Sequence, residues 1–120
     1  MRTINPSDAF GLAIIAQETV AAVCQGRNIS DGIIHLKLRI PAESGIVGVM
    51  QTLFNNVKTK DNRSYRVKQF FKSAEALGEY SGASDDEKAA SAVLLWSFGN
   101  NEMLYNALKH NLDIDLYLKS

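Results

Sequence analysis

The chain has 120 residues, 46% of them apolar and 22% charged. That is the balance of an ordinary globular protein, long enough for one hydrophobic core and read as a single domain over residues 1–120. Thirteen Lys and Arg cancel thirteen Asp and Glu, which excludes a polycation or polyanion and leaves any electrostatic function to the distribution of charge. One cysteine, Cys24, excludes an internal disulfide framework and a Cys-rich zinc site.

The first predicted element is a helix from Ser7, or from a cap at Asn5, to about Gln25, with Asp8 favourable in its first turn and Gly26 as its stop. Apolar side chains from Phe10 and Leu12 to Val20 and Val23 cover almost its whole circumference. Such a helix is expected to be central, or buried in a subunit interface that Asp at Ile14 or Ala16 would disrupt. The same stretch is a poor secretory leader, because Asp8 adjoins it, Glu18 interrupts it and Val23 precedes the cysteine. No apolar run approaches the ~20 residues of a membrane span. The expected compartment is the cytoplasm, with no membrane partner.

After a loop the period changes. Ile34, Leu36, Leu38 and Ile40 alternate with His35, Lys37 and Arg39 up to Pro41, and Leu112, Ile114, Leu116 and Leu118 alternate with Asp113, Asp115, Tyr117 and Lys119. Both segments read as half-buried strands, and their opposite charges suit adjacent positions in a ladder. Between them helical spacing recurs. Ile46, Val49, Met50, Leu53, Phe54 and Val57 fit one face of a helix ending near Lys58, with Gly45 and Gly48 weakening its start or allowing close packing. Val67, Phe70, Phe71, Ala74 and Leu77 mark a helix capped by Asn62 or Ser64. Ser84 and Glu87 form a capping box for a buried helix over Asp85–Phe98, stopped by Gly99, and Asn101 caps a short helix to about His110. The expected fold is therefore mainly α within an α+β class. It has about five helices and a small two-stranded sheet pairing 33–40 with 112–119, within one chain or across a homodimer.

Catalytic signatures are missing: no Walker A loop, G-x-G-x-x-G, H-E-x-x-H, C-x-x-C or G-x-S-x-G occurs. His35 reads as a surface residue, His110 as a helix-terminal cation and Cys24 as an inert buried thiol. Asp113 and Asp115 form a D-x-D pair that Glu102 or Asp31 could complete as a metal site, but Lys37 and Arg39 compete for those carboxylates. No metal, cofactor or catalytic residue is expected.

Charge is most uneven at Lys58–Lys72, which holds Lys58, Lys60, Arg63, Arg66, Lys68 and Lys72 against Asp61 alone, with Tyr65 among them. A helix N-terminus beside Arg and Lys can bind anions, so Lys58, Lys60, Arg63, Tyr65, Arg66 and Lys68 are the candidate binding residues. The same pattern also suits a solvated loop. Glu75, Glu79, Asp85, Asp86 and Glu87 follow at once. The chain is thus dipolar, and contact from head to tail between copies is one consequence. The expected function is that of a small non-enzymatic, homodimeric interaction protein that binds another protein. An accessory, inhibitor or immunity protein of a phage or mobile element would have this character. The alternative is a nucleic-acid or nucleotide-binding module using the basic turn 58–72.

Overall fold

The computed structural model describes residues 4, 6–27 and 43–99. They form four helices, α1 (Pro6–Gln25), α2 (Ser44–Val57), α3 (Arg63–Glu79) and α4 (Asp85–Gly99), and each packs on the other three.

The helix ends follow from local chemistry. α1 starts at Pro6, whose missing N–H costs nothing at a first helical position, so Ser7 lies inside the helix. It ends at Gly26, whose φ of 69° is the left-handed conformation glycine adopts without strain. The Arg27 N–H then reaches back to the Ala22 carbonyl at 3.2 Å, closing a Schellman turn. Asn62 caps α3 by accepting from the Tyr65 N–H at 2.9 Å. At α4 the capping box is reciprocal: the Glu87 carboxylate accepts from the Ser84 N–H at 3.0 Å, and the Ser84 hydroxyl from the Glu87 N–H at 3.2 Å.

One core joins the four helices. Leu12, Ile15 and Val23 of α1, Ile46 and Met50 of α2, Phe70 of α3 and Leu94 of α4 are its largest fully buried side chains, along with Ile4 and Val47. Removing each from water contributes roughly 1.5–3 kcal/mol. α4 is the central helix, since six successive residues, Ala89 to Leu94, are buried. α3 and α4 meet closely at small residues. The Ser91 hydroxyl donates to the Ala74 carbonyl at 2.5 Å, and a Cβ on Gly78 would collide with that hydroxyl.

Three expectations are corrected. The described residues make an all-helical, four-helix body without a strand, not five helices with a two-stranded sheet. Each of the four helices packs on the other three, so helix-on-helix packing builds this core. The segments 33–40, 101–110 and 112–119 lie outside the described residues, as do His35, His110, Asp113 and Asp115. α1 is not buried all round: Phe10 is 52% exposed and Gln17 is exposed, while Ala16 is fully buried inside the core. Its apolar circumference therefore does not define an interface through Ala16. Gly99 is the last residue of α4 rather than its stop.

Candidate functional site

Among the described residues, two turns at opposite ends gather charge of opposite sign. At one end α2 finishes, Lys58 and Lys60 donate backbone N–H groups to Phe54 and Val57, and α3 begins at Arg63. The C-terminus of α1 lies at this same end, against Arg66. At the other end α3 finishes, α4 begins, and the first turn of α2 touches Asp86. The ends are about 24 Å apart along the 17 residues of α3.

The structure separates the six candidate residues of the basic turn into two groups. Lys58, Lys60, Arg63 and Lys68 are exposed, and Tyr65 is 50% exposed. None of these four cations pairs with a carboxylate among the described residues. Lys72, one turn further along α3, is also exposed.

Arg66 points inward. It is 7% exposed, and its Nε donates to the Val23 carbonyl at 2.8 Å while Nη1 donates to the Lys60 carbonyl at 2.8 Å. A Cβ on Gly26 would lie 2.9 Å from its Nη2. α1 has no basic residue in its own last turn, and Arg66 supplies that cation from α3. It is a structural tie between α1 and the basic turn and is unavailable to an external anion. Arg27, also at this end, is engaged by Glu18 at 3.1 Å.

Of the remaining cations, Arg63 runs against the helix that carries it, whereas Lys58 is the C-cap of α2, where a cation is favoured, and Lys60 lies in the turn. α3 has no acidic residue in its first turn and no basic residue in its last, the reverse of what the helix macrodipole favours. Arg63 stands at its N-terminus and Lys68 follows, whereas Glu75 and Glu79 stand toward its C-terminus. The α3 N-terminus and Arg63 add to one positive potential, which the C-termini of α1 and α2 at this end partly offset.

The opposite end is acidic and holds an open cleft of about 590 Å³ between α2, the end of α3 and the start of α4. Val49, Leu53 and Leu77 give it an apolar floor, and Ser84, Asp86 and Glu87 line it on the α4 side. The two glycines of α2 differ here. Gly45 lies so close to the Asp86 carboxylate that a Cβ would collide with it, whereas a Cβ on Gly48 would meet nothing within 4 Å. The carboxylate sits at the first turn of α2, whose preceding residue Glu43 makes no side-chain cap. Glu75, Glu79 and Asp85 are exposed, and Tyr80 is 61% exposed with its ring over Gly82.

Cys24 is half-buried rather than buried. Among the described residues no group of three His, Cys, Asp or Glu side chains is placed to hold a metal ion. No helix among them is long and apolar enough to cross a membrane. Compared with known protein families, curated proteins and solved structures, the chain matches none.

Proposed function

We propose that the protein is a non-enzymatic interaction module that docks on an acidic surface of another protein through the turn formed by Lys58, Lys60, Arg63, Tyr65 and Lys68. The observation that carries this reading is that four exposed cations lack carboxylate partners among the described residues, and that one of them, Arg63, stands in the first turn of α3, where the helix dipole disfavours it. Departures from local stability rules concentrate at functional sites. An exposed tyrosine beside arginine is also the composition of protein-binding hot spots. Asp61, exposed between Lys60 and Arg63, suits a mixed protein surface better than a uniform phosphate backbone.

The test titrates poly-L-glutamate and a mixed-sequence oligonucleotide against the wild type and Lys60→Glu/Arg63→Glu at about 50 and about 500 mM salt. Ionic screening weakens exposed charge contacts across that range. Polyglutamate is expected to bind at the lower salt, and the double variant is expected to lose it without losing helicity. Preference for the oligonucleotide, with steep salt dependence, would replace this reading with the nucleic-acid one. No binding to either probe would leave the turn a solvated loop and overturn both.

A further inference from the structure

We infer that the acidic cleft between α2 and α4 receives the basic turn of a second copy of this chain, so that copies associate head to tail. This inference rests on the docking reading of the basic turn and names one partner for it. Three observations point to that occupant. The two ends have opposite charge: exposed Lys58, Lys60 and Arg63 at one, exposed Glu79 and Asp85 beside Asp86 and Glu87 at the other. Each end also exposes one tyrosine, Tyr65 at the basic end and Tyr80 at the acidic end. The cleft is open where α2 carries Gly48.

The shapes assign roles to these groups. The aromatic ring of Tyr65 supplies an apolar body for the floor of Val49, Leu53 and Leu77, with its hydroxyl at the wet rim. Lys60 and Arg63 on the same turn then face the carboxylate side of the cleft, and Tyr80 offers a ring face to a guanidinium or ammonium ion. The two contacting surfaces are different patches of one molecule, so the contact is heterologous. Each added copy presents a fresh cleft, and the assembly grows until it closes as a ring or continues as a filament. The cations are exposed and the cleft carboxylates half-buried before contact, so association is strongest at low salt.

The experiment is light scattering across a concentration series at about 50 and about 500 mM salt, with two variants that each disable one side. Gly48→Leu fills the cleft from a position where a Cβ meets no atom, and it leaves the basic turn intact. Lys60→Gln/Arg63→Gln removes the basic side and leaves the cleft intact. The wild type is expected to grow in mass with concentration at low salt. Each variant alone is expected to remain a monomer, and an equimolar mixture of the two is expected to form a 1:1 dimer that grows no further. A wild type that stays monomeric overturns the inference. So does assembly that both variants retain, which would run through another face, and so does a mixture that fails to pair. Titrating Gly48→Leu with poly-L-glutamate keeps the two proposals distinct. Binding by that variant alongside a monomeric wild type removes self-association but leaves the docking function, whereas loss of polyglutamate binding in the wild type removes both.

Discussion

At the corner between α3 and α4 the charges of α4 agree with the helix that bears them, while Glu79, the last residue of α3, opposes its own. Asp85, Asp86 and Glu87 occupy the first turn of α4, Glu87 completes its capping box, and Asp86 also lies against the first turn of α2. At the corner between α2 and α3 Lys58 stands at the C-cap of α2 and Arg66 donates to the α1 carbonyl of Val23, but Arg63 opposes the dipole of α3. Local stability therefore accounts for much of the acidic end and for only one residue of α3's basic start. The surplus at the basic end is what the proposed interaction surface would use.

The sharpest way to break this comparison is at Arg66. Replacing it with Ala leaves two carbonyls without their donors and removes a cation from the α1 C-terminus. The expected loss is about 2–4 kcal/mol in denaturant unfolding. Arg66→Lys should recover little of it, because an ammonium cannot span both carbonyls as the guanidinium fork does. A loss below about 0.5 kcal/mol, the scale of surface substitutions, would return Arg66 to the exposed group.

The next effect separates the closed contact near the acidic end from the open cleft beside it. Gly78→Ala forces a methyl against the buried Ser91 hydroxyl and should cost about 1–3 kcal/mol. Gly48→Ala meets no atom and should stabilise by about 0.5–1 kcal/mol through helix propensity. Equal thermal shifts for the two variants would show that the cleft is closed.

The smallest effect tests the comparison most directly. Arg63→Glu should raise stability by about 0.3–1 kcal/mol at low salt, because it puts an anion where α3 favours one, while it weakens binding to polyglutamate. Asp85→Lys should lower stability by a similar amount. If Arg63→Glu destabilises the fold, the charge at the basic end is structural and the comparison fails.

Much of this was legible wherever the signal was local. Gly26, Asn62 and the Ser84–Glu87 pair identify three helix ends from sequence, because each acts on backbone within about one turn of itself. The inward turn of Arg66 is harder to read from sequence, because its partner, Val23, is 43 residues away. A signal was present in the phase of α3: Arg66 precedes the buried Phe70 and Ala74 by four and eight residues and so lies on the same face. The choice of central helix failed for a different reason. α1 and α4 are both apolar on most sides, and only packing shows that α4 takes the middle. The two glycines of α2 were expected to behave alike, yet one adjoins a carboxylate and the other an open cleft. That difference depends on which helix crosses above them.

The bond from Arg66 to Val23 also bears on time as well as on stability. It closes a loop of more than forty residues, and the entropy of that closure must be met before the bond returns anything. An interaction of this kind forms late, after α1 and α3 have been brought together by their apolar faces. Interactions absent from the folding transition state govern how fast a protein comes apart, not how fast it forms. The side chain that the fold withholds from the surface is therefore the one expected to set the lifetime of the native state: without it the chain folds at much the same rate and unfolds sooner.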